Sequence, residues 1–329
     1  MKNILITGGA GFIGSHLTER LLETGHRVTC LDNFNDYYDP AIKRDNISGI
    51  LSHSNYTLIE GDILDEASLD TTFAQSDLDV IVHLAARAGV RPSLADPLLY
   101  QQVNIEGTMR LLERARKVGL KHFVFGSSSS VYGANSKVPF SESDPVEQPI
   151  SPYAATKRAG ELICYTYHHL HGIPISCLRF FTVYGPRQRP DMAIHKFTRQ
   201  IDRGHKISLF GDGKSRRDYT YIDDIIDGLT KCINKPHGFK IYNLGESHTI
   251  ELSALLRLIE SALGKKADIE WLPDQPGDVP ITFADIALAK EELKYKPGTL
   301  IEQGIPKFIE WYLKMKKNTA PERKNLNQS

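Results

Sequence analysis

An α/β fold built on a doubly wound parallel sheet is predicted by two features of this 329-residue sequence. Short β-rich runs alternate with helical stretches through the first half, and a glycine cluster falls between the first run and the first helix. The runs at residues 3–7, 27–32, 56–60, 79–84, 121–127 and 174–181 are apolar enough to be strands buried on both faces, which is the rhythm of βαβ units. Between the first two, Leu17, Leu21 and Leu22 share one helical face, and Gly25 stands where a left-handed cap would end that helix. After Phe181 the pattern breaks into Pro- and Gly-rich text, YGPRQRPDM and FGDGKSRRD, before a last sheet strand at 240–244. This predicts a smaller, discontinuous α/β lobe. We assign residues 1–182 plus 218–246 to the larger unit, 183–217 plus 247–315 to a substrate-binding lobe, and the polar, aperiodic 316–329 to a flexible tail.

Composition narrows the function classes. With 41% hydrophobic residues the chain can bury a substantial core. Forty basic residues balance forty acidic ones, so no net charge draws it to nucleic acid or an anionic membrane. No apolar run approaches the ~20 residues of a bilayer span, and the opening MKNILITGG reads as a strand entering a glycine turn, not as a signal peptide. A cytoplasmic location is the expectation. Cys30, Cys164, Cys177 and Cys232 lack metal or redox spacing and read as buried thiols. His168, His169 and His171 end a helix before Gly172 without Cys or carboxylate partners, so no metal site is expected.

The glycine cluster carries the first functional signal. Gly8, Gly11 and Gly14 form a G-x-x-G-x-x-G spacing that includes Phe12 and Ile13 and opens the first helix. Glycines permit a tight turn and close backbone approach to a pyrophosphate, whose charge the helix N-terminus stabilises. Asp32 ends the second strand, where a carboxylate accepts from ribose hydroxyls and repels a 2′-phosphate. NAD is therefore expected over NADP, although Asp32 within DNFND also suits a turn cap. The second signal is Tyr153 and Lys157, four apart in SPYAATKRAGE after a helix start at Ser151-Pro152. An ammonium group near a phenol favours the phenolate and brings this acid/base towards neutrality.

These motifs resemble the extended short-chain dehydrogenase/reductase family, of the NAD-dependent epimerase/dehydratase type, over roughly residues 1–313. The resemblance implies a Rossmann sheet, proton transfer by Tyr153, ribose binding by Lys157, and a hydroxyl on the fifth strand, Ser128 in GSSSSVYG, bonded to the reacting group. It also implies cofactor contacts from Asn33, Asp62, Ile63, Leu84, Ala85 and Ala86, a structural Asn104, and a homodimer formed through helices near 99–117 and 153–171. Dehydratases of this type carry Asp-Glu, and decarboxylases a Glu, where this chain has Ser129 and Ser130. The simplest remaining outcome is oxidation, reorientation of the keto sugar and return of the hydride to the opposite face, which is epimerisation.

The segments DNFNDYYDPAIKR, ARAGVRPS, FFTVYGPRQRPDMA and QPGDVPITFADI resemble UDP-glucuronate 4-epimerases more than UDP-galactose 4-epimerases. On that resemblance Thr182 replaces an Asn of the galactose enzymes, and Thr182, Arg189 and Arg91 are candidates to recognise a C6 carboxylate, with Ser127 and Ser128 nearby. Phe210 matches a uracil-contacting segment, and Arg217 and Asp278 match diphosphate-region positions, with Gln275 standing where many relatives have Arg. The expected activity is interconversion of UDP-glucuronate and UDP-galacturonate. UDP-N-acetylhexosamine or UDP-hexose 4-epimerisation, UDP-glucuronate decarboxylation and non-catalytic NAD sensing are the alternatives.

Overall fold

The computed structural model describes residues 1–74, 77–273 and 279–319. Its elements run β1 (Asn3–Thr7), α1 (Phe12–Glu23), β2 (Arg27–Asp32), α2 (Pro40–Ile47), β3 (Tyr56–Glu60), α3 (Glu66–Ala74), β4 (Val80–His83), α4 (Val90–Ala95), α5 (Pro97–Gln101), α6 (Gly107–Lys117), β5 (His122–Ser128) and α7 (Pro152–His171). There follow β6 (Ile175–Phe180), β7 (Thr182–Tyr184), α8 (Ala193–Arg203), β8 (Ile207–Phe210), β9 (Arg216–Tyr221), α9 (Ile222–Ile233), β10 (Phe239–Leu244), β11 (Thr249–Glu251), α10 (Leu252–Leu263), β12 (Ile269–Leu272), α11 (Ala287–Leu293) and α12 (Ile301–Thr319).

Seven strands form one sheet in the order β10-β6-β5-β4-β1-β2-β3, every pair parallel. The chain winds outward from β1 through β2 and β3, then returns to β4 on the other side of β1. The strand order therefore reverses between β1 and β4, and a crevice at the carboxyl ends of the strands follows from that topology. Both sheet faces are covered: Ile4, Ile6, Val80 and Val82 pack on one side with α1, while Leu5, Ile81, Phe123 and Phe125 pack on the other with α6. Two small sheets, β11-β9-β7 and β12-β8, take all their strands from the region after Phe181. The boundary expected at residue 218 falls inside β9, which pairs with β7 and β11.

Local chemistry starts and stops the key helices where the sequence indicates. Ser151 accepts from the Ala154 amide and Pro152 follows it, so α7 begins one residue before Tyr153, and Gly172 at φ 68° ends it. Gly25 takes φ 79° just past α1. The four cysteines are buried. The tail expected from Lys316 is corrected at its start: α12 continues to Thr319, because Phe308 and Ile309 bury its apolar face and Lys316 reaches the buried Asp202 carboxylate at 2.6 Å. Among the described residues no helix is long and apolar enough to cross a membrane.

A buried ion pair ties α7 to the sheet. Glu161, with no exposed surface, accepts from Arg179 Nε at 2.8 Å and Nη2 at 2.9 Å, and from the Ser127 hydroxyl at 2.7 Å. Arg179 also donates to the Tyr132 hydroxyl, which donates to Asn243. Removing the Arg179 cation leaves the buried Glu161 carboxylate only the partly exposed Arg158, at 3.1 Å, and the Ser127 hydroxyl as partners, which compensates it poorly. Arg179→Met should thus lower unfolding free energy by about 3–5 kcal/mol, read from chemical denaturation.

Candidate active site

The turn after β1 is shaped by what glycine alone permits. Gly8 has φ 72°, and a Cβ there would stand 2.8 Å from the Ala85 nitrogen; a Cβ on Gly14 would stand 2.3 Å from the Gly8 carbonyl oxygen. The first turn of α1 can therefore lie directly against the strand ends with its amides facing the crevice, a cradle that fits a dinucleotide pyrophosphate. At the end of β2, Asp32 accepts from the Ala10 and Phe34 amides at 3.1 and 2.9 Å, and Lys43 Nζ lies 3.2 Å from its Oδ1. Asp62 accepts from Asn33 Nδ2 at 2.7 Å and the Leu64 amide at 2.8 Å. Lys43 is a site residue that sequence reading did not single out; its place on α2, eleven residues after Asp32, leaves no local signal that it turns inward to pair.

A cleft of about 560 Å³ opens over this cradle. Gly8, Gly11, Phe12, Ile13, Gly14, Asp32, Asn33, Asp62, Ile63, Leu84, Ala85, Ala86, Tyr153 and Lys157 all line it, as do Ser127, Ser128, Thr182 and Arg189. Arg91, Phe210 and Arg217 are not among its lining residues. Arg91 instead stacks its guanidinium 4.8 Å from the centre of the Phe210 ring, so α4 meets β8 there, and Arg217 donates to the Arg216 carbonyl. Asp278 and Gln275 lie outside the described residues. Asn104, in a π-helical turn over Gln102–Glu106, bonds the Arg87 amide and carbonyl and the Thr156 hydroxyl, fixing the backbone that follows β4 against α7.

The phenol expected to transfer the proton sits where β5 ends and α7 begins. The Tyr153 hydroxyl shares a hydrogen bond with Ser128, whose own hydroxyl donates to Ser130 at 3.1 Å. Burial raises the Tyr153 pKa, while the Ser128 bond and the positive charge of Arg189 pull it down. The cation whose field reaches the phenol is thus Arg189. Lys157, expected to do this, is committed to the Gly126 carbonyl at 2.7 Å and to the Phe125 ring, and burial lowers its own pKa to about 8. Ser127, expected at the substrate, lines the cleft, but its hydroxyl donates to Glu161.

Two groups unforeseen from sequence, Tyr37 and Asp191, complete the wall, and Tyr100 backs it. The Tyr37 and Tyr100 hydroxyls both donate to the Ala88 carbonyl, at 2.8 and 2.7 Å, and the Tyr100 ring meets Tyr153 edge-on at 6.2 Å. Asp191 grips Arg189 through two hydrogen bonds. These contacts join loops distant in sequence.

The profile of the NAD dependent epimerase/dehydratase family matches residues 4–245. The chain belongs to that family. It is 44% identical to UDP-glucuronate 4-epimerase of Thermodesulfobacterium geofontis over 94% of this chain and 96% of the relative. The crystal structure of UDP-glucuronic acid 4-epimerase from Bacillus cereus, with UDP-glucuronic acid and NAD, superposes with a TM-score of 0.90 at 37% identity, covering 95% of this chain and 99% of that one. UDP-glucose 4-epimerase from Thermotoga maritima, bound to UDP-glucose, gives 0.87 at 33% identity over 95% and 99%. This family member is accordingly an NAD-dependent isomerase, a nucleotide-sugar 4-epimerase, with NAD as its cofactor.

Asp32→Ala should weaken NAD binding by about tenfold or more, since it removes a charged acceptor and leaves Lys43 buried without its partner. Calorimetric titration with NAD and with NADP checks this; equal affinity of the parent for both would contradict the role given to Asp32.

Proposed function

We propose that this enzyme interconverts UDP-glucuronate and UDP-galacturonate. The observation that carries the reading is the placement of Arg189: its guanidinium acts on the Tyr153 phenol from the cleft wall that also holds Thr182. A cation beside the reacting carbon matches a sugar whose C6 is a carboxylate, and a neutral hydroxymethyl group gives it no partner. The relatives named for UDP-glucuronate, at 44% and 37% identity, support the same substrate.

NAD, when bound, supplies hydride acceptance and return at the sugar carbon. The protein's part is acid-base and positional. Tyr153 takes the C4 hydroxyl proton as the ketone forms and gives one back to the opposite-face product, with Ser128 fixing the hydroxyl and steadying the phenolate. Ser129 and Ser130 occupy the turn after β5, so no carboxylate stands there to promote elimination. Arg189 and Thr182 hold the C6 carboxylate. Such restraint matters because a C4 ketone is β to that carboxylate, and the C5–C6 bond breaks readily when it stands perpendicular to the carbonyl plane.

In this reading the seven-stranded sheet unit carries NAD and the smaller sheets carry the UDP-sugar, within the cytoplasm. The enzyme works as a homodimer, a proposal supported by exposed Met109 on α6 and by exposed Leu162, Tyr165 and Leu170 on α7.

Tyr153→Phe should retain the fold and bound NAD yet lose about 10²-fold or more in kcat, because only the titrating hydroxyl is removed. NMR of UDP-glucuronate turnover measures it. Thr182→Val and Arg189→Ala should both lower UDP-galacturonate formation, with release of carbon dioxide or a 4-ketopentose as the orientation loosens. Parental activity in both variants would remove these residues from carboxylate recognition.

A further inference from the structure

Arg189 does not hold its own position. The backbone around it is pinned by contacts that leave the residue itself out. Arg187 binds Glu19 of α1 at 2.6 Å, and the Pro186 carbonyl meets His16 at 3.0 Å. Gln188, almost fully buried, is clipped to the Val183 carbonyl and to the amide of His195. What remains free is the long arginine stem. Its guanidinium is fixed on one edge by Asp191, Nε to Oδ1 at 3.0 Å and Nη2 to Oδ2 at 2.9 Å, and its face lies 5.5 Å from the centre of the Tyr37 ring. Tyr37 is itself anchored to the Ala88 carbonyl, and its hydroxyl stands 3.5 Å from Asp191 Oδ2. The other edge, Nη1 with the second hydrogen of Nη2, has no protein partner among the described residues.

We propose that Asp191 is a positioning residue that fixes the Arg189 fork so that its open edge meets the sugar carboxylate in one orientation, with Tyr37 as the floor beneath it. This rests on the UDP-glucuronate reading above. The arrangement has an opposing electrostatic consequence: Asp191 places a negative charge on the far side of the same guanidinium and partly offsets its attraction for a second carboxylate. Orientation is therefore gained while ground-state affinity is held down. A residue that merely supported the loop would show no such division, and the loop here is clipped independently of Asp191.

The test uses the NAD-loaded parent and the variants Asp191→Ala, Asp191→Glu and Arg189→Ala, with calorimetric affinities for UDP-glucuronate and UDP-glucose alongside kcat. Asp191→Ala should bind UDP-glucuronate within about threefold of the parent or more tightly, while kcat falls by about tenfold or more, because a misdirected carboxylate loses reactive alignment and not binding. Asp191→Glu should recover part of that kcat. Arg189→Ala should lose about tenfold or more in affinity for UDP-glucuronate and little for UDP-glucose. A kcat for Asp191→Ala within about twofold of the parent, or an affinity loss equal to that of Arg189→Ala, overturns the positioning role and leaves the substrate reading intact. A parent that neither binds nor turns over UDP-glucuronate overturns both, and the Arg189→Ala control identifies that case by losing nothing.

Discussion

The chemistry of this chain depends on how closely α7 sits against β5. Gly160 lies so near Phe125 that a Cβ would come within 2.4 Å of the ring, and Glu161 beside it joins the Ser127 hydroxyl to the Arg179 guanidinium with no exposed surface. A helix held this tightly carries Lys157 to the Gly126 carbonyl and sets the Tyr153 phenol against Ser128. The buried pair does more for geometry than for net stability, since an ion pair taken out of water roughly offsets its own desolvation. Proton transfer needs that geometry, because a hydrogen bond between phenol and serine tolerates little misplacement.

Around this core, cofactor and substrate groups arrive from opposite directions. The turn between β1 and α1, Asp32 and Asp62 come from the half of the sheet wound outward from β1, whereas Thr182, Arg189 and Asp191 come from the chain that leaves β6. The two meet at Tyr37, whose loop follows Asp32 and ends against Arg189, and at Arg187, which binds α1 behind the dinucleotide turn. The proposed cofactor cradle and the proposed carboxylate clamp thus share supports. His83 shows the same economy in the core: its ring bridges Thr7 and Thr108 at 2.7 and 2.9 Å, and burial lowers its pKa to about 3, so it remains neutral and links β1 to α6 through β4.

The sheet was legible because its strands are buried on both faces and must read as apolar runs, and the glycine turn because no other residue fits φ 72° beside Ala85. The helical spacing of Tyr153 and Lys157 was legible for the same local reason. What could not be read were partners set by tertiary packing. Nothing near Lys157 in the chain indicates that the Gly126 carbonyl would take its ammonium, nor that the charge reaching Tyr153 would be that of Arg189. Lys43 turning towards Asp32, and Arg91 covering Phe210 instead of lining the cleft, depend on loop paths of the same kind. The length of α12 was underestimated because Lys316 looks like polar tail until Asp202 is placed beneath it.

In the proposed mechanism one cleft removes a hydride from C4 of the sugar and returns that same hydride to the other face, with water kept from the exchange. UDP-glucuronate carrying deuterium at C4, incubated with the NAD-loaded protein and followed by NMR and mass spectrometry, tests it most directly. Return of the sugar's own hydride predicts UDP-galacturonate that retains the label at C4. Loss of the label to solvent during conversion would contradict it, since the configuration would then change by proton exchange and not by return of the sugar's own hydride.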